Sequence, residues 1–109
     1  MDLTPIKTET AKPASNATAD LAVARAMAAA MDGDVSGLFD LGVFYSTGSN
    51  GVECDMIEAH KWFNLAASRG HDEAAFCRAD VADEMTAREI AEAQRLARQW
   101  LADERRRAA

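Results

Sequence analysis

The chain has 109 residues, of which 49% are hydrophobic and 28% charged, and 18 Asp and Glu against 12 Lys and Arg give a net charge of −6. This length suits a single domain with one core, and the composition is that of a globular protein rather than a disordered one. The acidic balance argues against nucleic-acid binding, because phosphate contacts require a basic face.

Helix-forming residues dominate after the first eighteen positions, and we therefore expect an all-α fold. Residues 1–18 are rich in Thr, Ala, Ser, Lys and Pro without apolar periodicity, which predicts a disordered leader. Asp20 is a plausible N-cap for a first helix, in which apolar residues recur at helical spacing from Leu21 to Met31. The turn Asp32-Gly33-Asp34 is expected to end this helix and to cap the next one.

The second and third helices are predicted on either side of a short, Gly-rich loop. The second helix begins near Val35 and ends at Gly48. Asp55 is the predicted N-cap of the third helix, and Gly70 is the residue that ends it.

The last two helices follow with short connections. The fourth helix is expected from about Asp72 to Glu84. Thr86 and Glu89 form a capping box, which predicts a fifth helix that runs to about Glu104. Five helices joined in this way indicate a stack of helical hairpins.

The sequence repeats itself at an offset of 37 residues. Gly33 then superposes on Gly70 and Ala22 on Ala59, so that helix one matches helix three and helix two matches helix four. Helix five matches helix three less well. Small residues such as Gly42 allow paired helices to approach closely, and stacking builds a core that one hairpin cannot bury alone.

A dozen positions of the second and third helices carry a recognisable pattern of small, aromatic and turn residues. They are Leu41, Gly42, Tyr45, Gly48, Gly51, Asp55, Ala59, Trp62, Phe63, Ala66, Ala67 and Gly70. Their order and spacing resemble the Sel-one-like repeat (SLR), a relative of the tetratricopeptide repeats with a longer, Gly-containing loop in each hairpin. Arg78 and Ala82 depart from the pattern where Leu41 and Tyr45 satisfy it, so the second pair looks like a terminal cap.

The resemblance implies a right-handed α-α superhelix, a short solenoid of about five helices. One full repeat at about 35–70 would lie between partial repeats in a domain at 19–104, followed by a basic tail at 105–109. That tail contains Arg105–Arg107, which we interpret either as a frayed helix end or as a contact for an acidic partner or phosphate.

Proteins with such repeats act as scaffolds and adaptors, often in bacteria, so the resemblance implies a non-catalytic, cytoplasmic protein-binding module. In the tetratricopeptide relatives, the first helix of each pair lines a concave binding face. Transferred to this chain, those positions predict partner binding by Phe39, Val43, Phe76, Asp80 and Asp83, with Ser36, Ser46, Thr47, Glu73 and Glu84 on the same face. A basic and apolar helix or tail would suit this face. The alternative is that the two phenylalanines are core residues and the acids are a solvated surface.

Other functions have less support in the sequence. Cys54, His60, His71 and Cys77 are spaced as C-x5-H and H-x5-C, which matches no common zinc motif, and the repeat arrangement should keep them apart. No Ser-His-Asp order, phosphate-binding loop or paired carboxylate indicates an enzyme or a cofactor. A metal-binding protein or an enzyme is therefore a remote alternative.

The cysteines, the targeting patterns and the charge of the first helix bear on localisation and assembly. The two cysteines form no CxxC pair, no signal-peptide pattern is present, and no stretch approaches the length of a membrane-spanning helix. We therefore expect a cytoplasmic protein with free thiols and no membrane partner. Because the first helix carries few charges, homodimerisation through that end of the stack is the alternative to a different protein partner.

Overall fold

The computed structural model describes residues 20–108, and the predicted leader lies outside them. Within this range the chain forms five α-helices and no strand, which confirms the predicted all-α class. The helices are α1 at 20–31, α2 at Val35–Thr47, α3 at Met56–Ser68, α4 at Asp72–Ala82 and α5 at Ala87–Ala108.

Side-chain caps set the helix starts at the predicted residues. The Asp34 carboxylate accepts a backbone N–H of α2 at 2.9 Å, and the Asp55 carboxylate accepts two from α3 at 3.1 Å. Before α5, Thr86 N donates to Glu89 Oε1 at 2.9 Å while Glu89 N donates to Thr86 Oγ1 at 3.1 Å. The two reciprocal bonds are the expected capping box, and they satisfy backbone donors that the helix itself cannot.

Helix α5 is longer than the sequence predicted. It continues past Glu104 through Arg105–Arg107 and ends at Ala108. The extension has a local cause, because Arg and Ala are strong helix formers and basic residues in a last turn complement the negative end of the helix dipole. The basic segment is therefore the end of a helix in the described structure.

Helix α3 is the centre of the molecule and packs against α2, α4 and α5. The side chains of Trp62, Phe63 and Leu65 are at most 2% exposed. The other buried hydrophobic residues are Ala26, Ala30, Leu38, Leu41, Ala59, Ala66, Ala74, Val81, Ala93 and Ala97. Alanines at so many contact positions keep the helix axes close together.

The 37-residue offset found in the sequence also holds for backbone geometry. Gly33 has φ 85° and Gly70 has φ 96°, a conformation that side chains with a Cβ rarely adopt. Asp34 N donates to Ala29 O at 2.9 Å, and the equivalent His71 N donates to Ala66 O at 3.1 Å. The turn from α1 to α2 is therefore repeated between α3 and α4.

Arg78 shows how the structure accommodates a departure from the repeat pattern. Its Nη1 donates to the Asn64 side-chain oxygen on α3 at 2.6 Å, and the guanidinium is half-buried between the two helices. A polar link thus replaces the apolar contact that Leu41 makes in the preceding pair.

Candidate functional site

A groove lies between the C-terminal half of α2 and α4, and we call it the α2/α4 groove. It encloses about 330 Å³ and is lined mainly by apolar side chains. These are Val43 from α2, Met56 and Phe63 from α3, and Cys77 and Val81 from α4. Cys77 and Val81 are four residues apart, so they share the face of α4 that turns toward α2.

The two walls of the groove differ in charge. Asp80 and Glu84 line it on the α4 side, and both are exposed. Ser46 and Thr47 line it on the α2 side, where their hydroxyls donate to Val43 O at 3.1 and 2.8 Å. The groove therefore has one acidic wall and one neutral wall whose hydroxyl hydrogens are already used.

Cys77 contributes an apolar surface rather than a nucleophile. Burial raises the pKa of its thiol, and the nearby carboxylates of Glu73 and Asp80 raise it further. A thiol with a raised pKa stays protonated at neutral pH and reacts slowly. The other cysteine, Cys54, is exposed beyond the end of α2, where its Sγ lies 3.6 Å from Ser46 O.

The five residues predicted to bind a partner occupy three different environments. Val43 and Asp80 line the α2/α4 groove. Phe39 is partly buried against Phe63 and His71. Phe76 is 74% exposed on α4, and Asp83 is exposed at the C-cap of the same helix; neither lines the groove.

Phe39 is held by one ring from α3 and one from the start of α4. Its ring stacks on His71 with centroids 4.2 Å apart and planes at 11°, and it tilts against Phe63 at 5.6 Å. His71 is fixed in turn, because its Nδ1 accepts the Ala74 N–H at 3.1 Å and so caps α4. Phe39 therefore joins α2 to α3 and α4, and its ring is only partly accessible.

Three residues that line the groove were not among the predicted binding residues: Met56, Cys77 and Val81. Cys77 and Val81 are four residues apart on α4, and this spacing, which continues to Glu84 just after the helix, is the sequence signal that indicates both residues. Met56 gave no such signal, because it is the first residue of α3 and only the path of the preceding loop brings it to the groove.

Both histidines have structural roles, because His71 caps α4 and His60 lies in the core. His60 is 4% exposed, and burial together with the Arg78 charge lowers the pKa of its imidazole. Across residues 20–108, no three His, Cys, Asp or Glu side chains come together in a way that could hold a metal ion.

None of the helices in this range combines the length and apolar character needed to cross a membrane. Comparison of the chain with protein-family models, with curated proteins and with solved structures finds no match.

Proposed function

We propose that this chain is a Sel-one-like adaptor that binds a segment of another protein in the α2/α4 groove. The observation that carries the proposal is an open, apolar groove with carboxylates on one wall only. An amphipathic segment suits it, with one or two large apolar side chains on the floor and Lys or Arg beside Asp80 and Glu84. Apolar anchors would supply most of the affinity, and the charges would set orientation and association rate.

The size and chemistry of the groove favour a peptide over a metabolite. Its volume of about 330 Å³ is near the lower limit of pockets that hold small molecules, which is about 300 Å³. Small-molecule sites also place several polar groups around the ligand, whereas here the polar groups stand at the rim. A few side chains of a longer segment fit this arrangement better.

We also propose a superhelical arrangement of the helices and a cytoplasmic location for the protein. The repeated turns at Gly33 and Gly70 support a right-handed superhelix in which α2 and α4 are successive first helices of their pairs. The groove between them would then lie on the concave face. Two free cysteines support a reducing, cytoplasmic setting.

Charge reversal on the acidic wall tests the proposal. The double variant Asp80→Lys/Glu84→Lys changes only exposed side chains, and Asp32→Lys/Glu53→Lys is a control with the same change in net charge away from the groove. The experiment is crosslinked affinity capture from native lysate, followed by mapping of the crosslinked residues. We expect one protein segment to crosslink beside Val43 and Val81, to be lost with the groove variant and to be kept with the control.

A titration with a synthetic peptide gives an independent readout. Basic amphipathic peptides should shift the methyl resonances of Val43, Met56 and Val81, and peptides with Glu in place of Lys should not. If the groove variant and the control capture the same proteins, and the basic peptide moves none of these methyl groups, the groove is not the binding site.

A further inference from the structure

The contact of α2 with α3 and α4 is a template for a second contact between molecules. Phe39 of α2 rests on Phe63 of α3 and on His71 at the start of α4. Gly42 faces the same Phe63 ring, and Val43 borders Cys77 and Val81. One helix therefore covers the surface that α3 and α4 form together.

Phe76 stands on α4 where Phe39 stands on α2, because the two residues are separated by the repeat offset of 37. Phe39 is partly buried, whereas Phe76 is 74% exposed. Phe76 has the greatest exposure of the large hydrophobic residues in the described part of the chain. Aromatic residues are enriched at protein–protein interfaces relative to the rest of the surface.

Within residues 20–108 the receiving surface for such a helix is also present, and no described side chain covers it. The surface of α3 and α4 that faces Phe39 and Val43 includes Phe63, His71, Cys77 and Val81, and the same offset maps these residues onto Ala26, Asp34, Asp40 and Phe44. All four of the mapped residues line a second concave region between α1 and α2, the α1/α2 cleft, which encloses about 380 Å³. Ala26 replaces the ring of Phe63 with a methyl group, so the cleft has room for an incoming aromatic side chain.

We infer that copies of this chain associate head to tail, with Phe76 of one copy seated in the α1/α2 cleft of the next. The internal contact shows what covers such a surface: a helix with a phenylalanine at this position. Helix α4 of a second copy has that residue at the equivalent place, whereas α2 is already packed inside its own molecule. Because the two surfaces differ, the contact does not close on itself, and it generates rings or open chains.

Charge sets the conditions under which this association is strongest. The helix that carries Phe76 also presents Glu73 and Asp80, and the cleft contains Asp34 and Asp40 beside a single cation, Arg25. Across the contact, pairs of like charge therefore outnumber pairs of opposite charge. Since salt screens such repulsion, association should increase with ionic strength, which is the reverse of the behaviour expected for the basic segment in the α2/α4 groove.

Sedimentation equilibrium on the full chain tests the inference, at low and high salt over a range of concentrations. The wild type should show a mass that rises with concentration, and more steeply at high salt. Two variants at exposed positions should each be monomeric: Phe76→Ser, which removes the ring, and Ser36→Glu, which adds a carboxylate to the cleft. Mixed together, they should form a one-to-one dimer and nothing larger, because each retains the surface that the other has lost.

A third variant keeps the test informative if wild-type association is weak. Asp40→Arg reverses a cleft charge at an exposed position and should increase association at low salt. Circular dichroism confirms that each variant is folded. A wild type and an Asp40→Arg variant that both remain monomeric at every concentration and salt would overturn the inference. A dimer that survives Phe76→Ser would also overturn it, because a different surface would then hold the copies together.

Discussion

Gly42 marks the closest approach of α2 to α3. A Cβ atom at this position would lie 2.5 Å from Cδ1 and Cε1 of Phe63. The Phe63 side chain is 1% exposed and packs against Phe39, so it has little freedom to move away. The contact therefore requires the absence of a side chain at position 42 rather than an unusual backbone angle.

Enlarging Gly42 should destabilise the protein in steps. In Gly42→Ala, overpacking should lower the free energy of unfolding by about 1–3 kcal/mol. The higher helix propensity of Ala should offset about 1 kcal/mol of that loss. Gly42→Leu should prevent folding. Urea denaturation measures both, and Phe63→Leu combined with Gly42→Ala should recover part of the loss by making space. A Gly42→Leu protein with an unchanged melting temperature would contradict this packing.

His60 should make stability depend on pH. It is buried, its Nδ1 has no hydrogen-bond partner, and burial lowers the pKa of the folded imidazole below its ordinary value of 6.5. Below about pH 6.5 the unfolded chain therefore binds a proton that the folded protein does not. Stability should be greatest above that pH and should fall as the pH drops from about 6.5 toward the lower pKa of the folded state.

The variant His60→Leu isolates this effect. It should flatten the change in unfolding free energy between about pH 7 and pH 5, while the other histidine is common to both proteins and cancels in the difference. Urea titrations across this interval give the two slopes. Equal slopes for wild type and His60→Leu would show that His60 does not titrate differently on folding.

Among the elements, α5 packs on α3, and Arg69 adds a polar contact between α5 and the rest of the fold. The guanidinium of Arg69, at the end of α3, contacts the Glu104 carboxylate on α5, and its Nη1 lies 3.4 Å from Gly33 O in the turn between α1 and α2. Both side chains are about three-quarters buried, at 26% and 24% exposure. One side chain thus connects three separate parts of the stack.

A double-mutant cycle with Arg69→Ala and Glu104→Ala should therefore find measurable coupling. We expect about 1 kcal/mol, because the pair is largely withdrawn from water. The exposed pair Glu92 and Arg95 on α5 is the matched control, and its cycle should show much less coupling that disappears in salt. If the two cycles gave the same coupling, the contact of Arg69 with Glu104 would be an ordinary surface pair.

The helix starts were predictable because their signals are local. Asp34, Asp55 and Thr86 cap within three residues, so the sequence contains both partners of each bond. The groove was only partly predictable. Val43 and Asp80 followed from the positions that the resemblance to the tetratricopeptide repeats transfers to this chain, but Met56 reaches the floor through the path of a loop, which no local pattern specifies. The length of α5 was missed because no Gly or Pro marks its end.

At the scale of the whole molecule, Phe39 and Phe76 show the limit of a repeat alignment. The offset predicts that they occupy equivalent positions, and the turn geometry supports this equivalence. It cannot predict that one is packed and the other exposed, because that depends on whether a further helix pair covers α4. The two ends of the stack therefore determine which repeat residues belong to the core and which are left for contacts with other molecules.

Stability should be unevenly distributed along the stack. Helix α3 contacts α2, α4 and α5. In α1 the buried residues are Ala26 and Ala30, Met27 is partly buried against the core, and Leu21 and Met31 are about half exposed. Small side chains bury little apolar area, so α1 should open locally at a lower free energy than the global unfolding of α3. Native-state hydrogen exchange should find the slowest amides in α3 and markedly faster exchange in α1.

The same experiment connects local stability to assembly. If α4 of a neighbouring copy covers the α1/α2 cleft, raising the protein concentration should slow exchange in α1 of the wild type and leave it unchanged in Phe76→Ser. Exchange in α3 should respond to neither change, because its helix partners are already in place within one chain. Equal protection of α1 and α3 in dilute solution would instead mean that the small contacts of α1 suffice to make it part of a single cooperative unit.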